Sequence, residues 1–468
     1  MENTNYKKLN PELIDELIKI VGLELIITGE DMFHYGHDET EDLNFEPEIV
    51  VRPINAQQIS EILLFANKHL IPVTPRAGGT GLSGGALPVH GGIVISVEKL
   101  NKLIEIDEKN LQATVEPGMI CQHFMDEVEK VGLFYPVDPS SKGSSMLGGN
   151  LAESAGGPRA VKYGTIRDYV LNIEMVLPTG EIIQTGSNTL KFASGYNLTQ
   201  LMIGSEGTLG IVTKIVFKLI PKPTHNLLML APFTSCENAC LAVSAIFRAG
   251  FLPSALEFME KSAVEWVVEY EKINFISEKG TEAYLLIEVD GTNPDLLMLE
   301  CEKISEVLMS FDVGDILFAE SSAQKESLWR IRRSIALSVK ANSIYKEEDT
   351  VVPRAALAKL LAGVKEIGNS FGFKSICYGH AGDGNLHINI IKSTMSDYDW
   401  ENKLPVAIRE IFKLTVSLGG NISGEHGIGW VQKQYLDVIY SEVHLNLLRG
   451  IKKLFDPNLI LNPSKIVN

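Results

Sequence analysis

The stretch that decides the fold of this 468-residue chain is a glycine-rich loop, Pro75-Arg76-Ala77-Gly78-Gly79-Thr80-Gly81-Leu82-Ser83-Gly84-Gly85. It follows a predicted strand, and its glycine and serine residues allow backbone N–H groups to converge on an anion without obstruction from Cβ atoms. The glycines satisfy the pattern G-x-G-x-x-G, but Pro88, Gly91 and Gly92 arrive before a helix could form. The loop therefore predicts an anion-binding turn that is neither a Rossmann turn nor a P-loop.

Three further segments rich in small residues accompany this loop, at 138–150, 154–157 and 204–210. Ordering four such loops in one domain costs much conformational entropy unless a large ligand binds to them. An extended cofactor that carries a diphosphate is the simplest explanation.

Composition excludes several classes of protein. The chain has 42 Lys+Arg against 59 Asp+Glu, and its net charge of −17 argues against a nucleic-acid-binding surface. The five cysteines are scattered, which predicts neither a disulfide framework nor an iron–sulfur motif and favours the reducing cytoplasm. We see no secretory signal and no apolar run of about 18 residues, so we expect no integral membrane segment.

Hydrophobic periodicity predicts an α+β protein of about two domains and a C-terminal segment. The boundaries are expected at 1–221, 222–419 (an α+β domain with an antiparallel sheet) and 420–468 (a helical segment). The predicted helices are 11–21, 56–69, 236–249, 294–310, 323–341 and 354–371. The predicted strands are 48–52, 72–76, 92–97, 112–116, 211–219, 227–231, 255–260, 283–289 and 316–320, with a strand–turn–strand at 169–185.

Two histidine-containing motifs carry the sharpest chemical signal. In Tyr378-Gly379-His380-Ala381-Gly382-Asp383-Gly384-Asn385-Leu386-His387-Ile388-Asn389, a tight turn precedes a strand on which His387 and Asn389 share one face. Ser423-Gly424-Glu425-His426-Gly427-Ile428-Gly429 adds a carboxylate and an imidazole. Two histidines and one carboxylate suit Fe(II), Mn(II) or Zn(II), although single histidines are more often structural or exposed.

A cationic helix forms the third element. On the predicted helix 323–341, Trp329, Arg332, Arg333 and Ala336 would lie on one side, and Lys346 follows before an acidic run. Most arginines on helices are solvated, but a guanidinium can also hold a substrate carboxylate through two hydrogen bonds.

The loops PRAGGTGLSGG, DPSSKGSSMLGGNLAESAGG and GSEGTLGIVT resemble the FAD-binding domain of the vanillyl-alcohol-oxidase/PCMH flavoprotein superfamily. The resemblance implies non-covalent FAD, because the first loop lacks the histidine that attaches flavin in some members. The diphosphate would be held by Arg76, Gly78, Gly79, Thr80, Gly81 and Ser83. The ribityl chain and flavin ring would be lined by Pro139, Gly148, Gly149, Ser154, Gly156, Glu206 and Ile211.

The motifs GHAGDGNLHIN and SGEHGIG, the WRIR helix and the terminal Leu461-Asn462-Pro463 resemble FAD-linked 2-hydroxyacid oxidoreductases, over residues 48–463. These include the flavin subunit of glycolate oxidase, D-lactate dehydrogenases and D-2-hydroxyglutarate dehydrogenase. The resemblance implies metal binding by His380, His387 and Glu425, catalysis by His426, and substrate contacts from Arg332, Lys346 and Asn389, with Asn462 near FAD. Ala336 replaces the threonine of the hydroxyglutarate enzymes, which weakens the case for that substrate.

We therefore expect an enzyme that oxidises D-lactate or glycolate to the 2-oxo acid, with D-2-hydroxyglutarate as the alternative substrate. A metal-dependent hydrolase and a non-catalytic flavin scaffold are the alternatives from other classes. The resemblance implies an electron-accepting partner, which could be an iron–sulfur subunit, an electron-transfer flavoprotein or quinone. A homo-oligomer and peripheral membrane association through that partner stay open.

Overall fold

The chain divides into two units in the computed structural model, which describes residues 6–41, 43–275 and 277–467. The loop unit comprises the described residues of Met1–Gly156, Thr165–Lys222 and Glu425–Asn468. The sheet unit comprises Gly157–Gly164 and the described residues of Pro223–Gly424. Within the described residues, no helix has both the length and the apolar character needed to cross a membrane.

The strands, in chain order, are β1 Ile26–Ile27, β2 Ile49–Val51, β3 Val73–Arg76, β4 Ile93–Ser96, β5 Leu103–Asp107, β6 Gln112–Val115, β7 Leu133–Phe134, β8 Val170–Val176, β9 Ile182–Gln184, β10 Ile211–Lys218, β11 Ile220–Pro221, β12 His225–Phe233, β13 Ala255–Glu260, β14 Ala283–Gly291, β15 Leu317–Phe318, β16 Tyr345–Val351, β17 Lys374–Gly379 and β18 Asn385–Ile391.

The α-helices are α1 Pro11–Val21, α2 Ala56–His69, α3 Cys121–Lys130, α4 Leu147–Glu153, α5 Ala160–Tyr163, α6 Leu198–Met202, α7 Cys236–Arg248, α8 Lys261–Glu271, α9 Pro294–Leu308, α10 Ser322–Arg333, α11 Ile335–Asn342, α12 Leu357–Phe371, α13 Asp397–Asn402, α14 Leu404–Ser417, α15 Leu436–Ile439 and α16 Glu442–Phe455. Short 3-10 helices cover Leu23–Leu25, Gly29–Tyr35, Ile166–Asp168, Met309–Phe311, Arg354–Ala356 and Lys433–Tyr435.

The loop unit contains a four-stranded sheet in the order β1-β2-β4-β3, a five-stranded antiparallel sheet in the order β5-β6-β10-β8-β9, and the pair β11-β7. In the first sheet β2, β4 and β3 are parallel, and α1 and α2 pack their apolar faces on it. The chain's C-terminal tail joins this core, where Ile460 and Leu461 are fully buried and Leu461 forms a parallel bridge with Val73. The tail therefore meets the strand that leads into the glycine-rich loop.

The sheet unit is built on seven antiparallel strands in the order β15-β12-β14-β13-β17-β18-β16. A core of buried apolar side chains from these strands and from α8, α10 and α11 supports the sheet. The prediction of an α+β domain with an antiparallel sheet is thereby confirmed.

Local signals explain the helix starts. Asn10 caps α1 by accepting a hydrogen bond from Leu13 N, and Asn55 caps α2 by accepting from Gln58 N. Both helices begin and end where the sequence predicts. Ser321 forms a capping box with Gln324 at the start of α10.

The predicted single helix 323–341 is wrong, because α10 ends at Arg333 and α11 begins at Ile335. The buried Ser334 between them donates its hydroxyl to Glu271 Oε1 at 2.8 Å, and its backbone leaves the helical conformation. The predicted shared face is also wrong, because Arg332 is buried whereas Arg333 and Ala336 are exposed.

Candidate active site

The glycine-rich loop follows β3 without any helix, as its prolines and glycines predict. The backbone N–H groups of residues 78–85 donate no hydrogen bond to any residue that the structure describes. Their carbonyls are held instead: Ser83 O accepts from Trp430 N and Val431 N, and Gly85 O accepts from Asn462 Nδ2 at 2.9 Å. The loop is thus anchored by its acceptors, and its donors remain available to an anion.

Arg76 supplies a buried positive charge at the start of this loop. Its Nη2 donates to His34 O at 3.0 Å, while Nη1 is buried without a hydrogen-bond partner among the described residues. Burial lowers the pKa of Arg76, and the neighbouring Asp38 opposes that shift. A buried guanidinium donor with unused capacity, beside free N–H groups, fits the diphosphate of FAD.

The other predicted FAD contacts lie in the same unit, in varied surroundings. Gly148 and Gly149 are within α4, and a Cβ on Gly148 would lie 2.6 Å from Pro117 Cβ, so this glycine allows close packing. Ser154 ends α4 in the left-handed conformation, and Ile211 is a core residue. The remaining two are Pro139, whose carbonyl accepts from Lys142 N, and the buried Gly156.

Two buried carboxyl groups, Glu153 and Glu206, lie in the loop unit. Burial raises the pKa of Glu206 to about 7, although hydrogen bonds from Ile428 N and Gly429 N and the charge of Lys465 oppose the shift. Burial, followed by the charge of Glu206, raises the pKa of Glu153 well above its ordinary value. The sequence analysis assigned Glu206 to the flavin site but gave no role to Glu153, and it did not predict that the two carboxyl groups interact.

Glu206 anchors the loop that carries the predicted base. Its Oε1 accepts from Ile428 N at 2.8 Å and its Oε2 from Gly429 N at 2.6 Å. Gly427 has φ +85°, and a Cβ there would lie 2.3 Å from Glu153 Oε2, so only glycine fits. The backbone after Glu425 and His426 is therefore fixed from within the loop unit.

In the sheet unit, Glu257 on β13 joins two of the predicted site residues. The carboxylate is fully buried and accepts from Arg332 Nε at 2.7 Å, and both oxygens lie 2.9 Å from His380 Nδ1. Burial alone would raise the pKa of Glu257, but the charges and hydrogen bonds of His380 and Arg332 outweigh it and lower that pKa. Because Nδ1 faces Glu257, Nε2 is the atom of His380 that is suited to metal coordination.

The second histidine is close to the first. The rings of His380 and His387 are 5.5 Å apart, and His387 Nδ1 lies 3.4 Å from Glu347 Oε1 and 3.9 Å from Asp349 Oδ1. Buried imidazoles beside carboxylates are the donor types that Fe(II), Mn(II) and Zn(II) prefer. The sheet unit therefore contains side chains that fit a divalent metal.

The strand register places Asn389 and Lys346 on opposite faces of the β16–β18 pair. On the β16–β18 pair, Asp349 lies opposite His387 and Glu347 opposite Asn389, so these four share a face. Lys346 lies opposite Ile390, on the other face of the strand. Asn389 is fully buried, and its amide oxygen and nitrogen have no hydrogen-bond partner among the described residues.

Arg332 offers unused donors at the same place. Its carbon Cζ lies 4.8 Å from the centre of the Tyr378 ring, and its buried Nη2 has no partner among the described residues. Burial, together with the charge of Glu347, raises the pKa of Tyr378 well above its ordinary value, so this phenol stays neutral. A buried arginine with a free donor can bind a carboxylate.

Glu425 and His426 belong to the loop unit and follow the point where the chain leaves the sheet unit. The preceding Gly424 is bound within the sheet unit, where its N–H donates to Asp349 Oδ2 at 2.8 Å. The segment from 424 to 432 contains no helix.

Comparison with known proteins defines the class. Residues 47–186 match a family model described as an FAD binding domain, and residues 222–466 match one described as FAD linked oxidases, C-terminal domain. Among solved structures, p-cresol methylhydroxylase superposes with a TM-score of 0.81 at 16% identity, covering 99% of this chain and 98% of that one. The fold is that of the VAO/PCMH flavoproteins, and the two matched domains are those of an FAD-linked oxidoreductase.

Sequence relatives refine this result. A D-lactate dehydrogenase of Anaerostipes hadrus is 37% identical, covering 100% of this chain and 99% of its own length. Glycolate oxidase subunit GlcD of Bacillus subtilis is 38% identical, covering 92% and 91%. A D-2-hydroxyglutarate dehydrogenase of Stutzerimonas stutzeri is 32% identical, covering 98% and 99%. The chain belongs to the family of FAD-linked oxidases.

Proposed function

We propose that this protein oxidises a small D-2-hydroxy acid, D-lactate or glycolate, to the corresponding 2-oxo acid. The observation that carries the proposal is the buried Arg332, held by Glu257 beside His380 with its Nη2 unused. This arrangement offers a carboxylate-binding donor next to an imidazole nitrogen suited to a metal. The names of the relatives support the same substrate class.

Each of the proposed site residues would have a separate role toward such a substrate. Arg332 binds the carboxylate, Asn389 hydrogen-bonds the substrate, and His426 takes the hydroxyl proton, a contribution of about 10²–10⁴ in rate. The chemistry that bound FAD supplies is acceptance of a hydride from the α-carbon. A divalent ion held by His380, His387 and Glu425 would supply Lewis-acid character at the hydroxyl.

Two residues bear on the assignment of the substrate. Ala336, which replaces a threonine of the hydroxyglutarate enzymes, is exposed and lies beyond the break at Ser334. It therefore does not share the buried position of Arg332. Lys346 is the second proposed carboxylate ligand. Because it lies opposite Ile390, on the face away from Asn389, we expect it to contribute less to carboxylate binding than Arg332 does.

We propose an external electron acceptor. All five cysteines are free thiols, and four of them are buried, namely Cys121, Cys240, Cys301 and Cys377. Burial raises the pKa of Cys121 and of Cys377 to about 12, so neither thiol is disposed to bind a cluster. An iron–sulfur subunit, an electron-transfer flavoprotein or quinone would take the electrons, and the free thiols suit a reducing cytoplasm.

Substitution of Arg332 by lysine tests the carboxylate assignment. Lysine keeps the charge but cannot donate to Glu257 and to a substrate carboxylate with the planar geometry of arginine, so KM should rise at least about tenfold. The matched control is Arg333→Lys on the same helix, where the exposed guanidinium pairs with Glu326 at 2.6 Å and KM should stay unchanged. Equal KM values in both variants would contradict the assignment.

A further inference from the structure

Glu257 is a fully buried carboxylate between the apolar residues Leu256 and Phe258, and the sequence analysis assigned it no role. It lies on β13, between β14 and β17 near the middle of the seven-stranded sheet. Burying a carboxylate there is costly unless cationic or N–H donors compensate it. Its hydrogen-bond partners are Arg332 and His380, which the proposed function assigns to the substrate carboxylate and to the metal.

The same carboxylate fixes the functional atoms of both partners. By accepting from Nε, it turns the guanidinium so that the buried Nη2 is free to bind an anion. By facing Nδ1 of His380, it selects the tautomer in which Nε2 can bind a metal. A change at one partner must therefore alter the hydrogen bonding available to the other.

We propose that Glu257 is a positioning residue that couples metal binding at His380 to carboxylate binding at Arg332. The inference rests on the proposed function. It predicts that a bound carboxylate increases metal affinity, and that the metal increases carboxylate affinity by the same factor. A substitution at Glu257 weakens both interactions and removes the coupling between them.

The chain offers a matched control on the same strand. Glu260 is also buried, but it pairs with Lys365 at 2.7 Å and accepts from Cys377 N at 2.8 Å, none of which belongs to the proposed site. Glu260→Gln removes a buried carboxylate of the same kind without touching Arg332 or His380. Any loss common to both variants is therefore structural.

The experiment titrates Mn²⁺ and Zn²⁺ into metal-depleted, FAD-loaded protein, with and without propionate, a carboxylate that has no α-oxygen to coordinate the metal and cannot reduce the flavin. Glu257→Gln should weaken metal binding by about 10- to 100-fold and abolish the increase caused by propionate. Glu260→Gln should retain both. If Glu257→Gln does not fold, Glu257→Asp keeps the charge but is too short to reach both partners, so it should fold and still lose the coupling.

Three outcomes are decisive. Loss of metal affinity and of coupling in the Glu257 variants alone supports the inference. Folded Glu257 variants with wild-type metal affinity, or with losses equal to those of Glu260→Gln, overturn it while leaving the proposed function intact. Wild-type protein that binds neither metal nor propionate overturns both the inference and the proposed function.

Discussion

The hydrogen bonds that Glu206 accepts predict a local effect of the substitution Glu206→Gln. The two carboxyl oxygens accept from Ile428 N and Gly429 N at 2.8 and 2.6 Å, and glutamine keeps one acceptor while turning an amide NH₂ toward the other donor. An unsatisfied buried N–H costs about 1–3 kcal/mol, which corresponds to about 5- to 150-fold in an opening equilibrium. The loop that carries His426 should open more often by that factor.

Hydrogen–deuterium exchange on peptides that cover 425–431 measures this opening directly. In the FAD-loaded Glu206→Gln protein, the amides of Ile428 and Gly429 should exchange about 5- to 150-fold faster. The control is Glu153→Gln, because Glu153 Oε2 has no hydrogen-bond partner among the described residues. Protection in that variant should stay within about twofold of wild type; faster exchange in both variants to the same degree would refute the anchoring role.

The pH dependence of stability gives an independent check with a definite sign. Burial raises the pKa of Glu206 from 4.5 to about 7, so the folded state binds more protons than the unfolded state between these values. The stabilisation is complete below pH 4.5 and is lost as the pH rises to about 7. In a protein that keeps the residues Glu153, Asp38 and Lys465, the Tm deficit of Glu206→Gln should therefore be largest near pH 5 and shrink toward pH 8. A deficit that grows with pH would contradict this.

Further predictions concern the same loops. Gly427→Ala should lower the Tm of the holoenzyme, with a cost of at least about 1 kcal/mol for the left-handed backbone alone, and an unchanged Tm would contradict the close approach of Glu153. His426→Ala should retain FAD but slow flavin reduction by about 10²–10⁴ in anaerobic stopped flow; a wild-type rate would remove its role as base. Arg76→Gln should weaken FAD retention during dialysis about tenfold or more, whereas Arg52→Gln, which breaks a salt bridge to Glu98, should not.

The sequence could predict features whose cause is local. Helices α1 and α2 end where their caps and apolar spacing place them, and the glycine-rich loop lacks a helix because of its own prolines and glycines. The shared face of His387 and Asn389 follows from strand alternation alone. These signals lie within a few residues of the feature that they predict.

Other features depend on pairing between distant segments. Strand β16, Tyr345–Val351, reads as a polar and acidic run, but its carboxylates are buried by partners such as Asn385 Nδ2, which donates to Asp349 at 2.6 Å. Glu257 is separated from His380 by 123 residues. The position of Glu257 between the apolar residues Leu256 and Phe258 was the one feature of the sequence that could have indicated a buried carboxylate. Its partners, His380 and Arg332, could not be identified from the sequence.

The same limit applies to the face of Lys346. The pairing of β16 with β18 decides which face of the sheet Lys346 occupies. Spacing along the chain could not show that Lys346 lies opposite Ile390, on the face away from Asn389. The break at Ser334 likewise depends on the distant Glu271, which accepts a hydrogen bond from the Ser334 hydroxyl.

The most direct test of the central claim is anaerobic titration of the FAD-loaded, metal-assayed protein with D-lactate, L-lactate, glycolate and D-2-hydroxyglutarate, followed at the flavin absorption bands. We predict rapid bleaching by D-lactate or glycolate, reduction by D-2-hydroxyglutarate that is at least about tenfold slower, and no bleaching by L-lactate. Bleaching by none of these acids, or equal bleaching by both lactate enantiomers, would contradict the account.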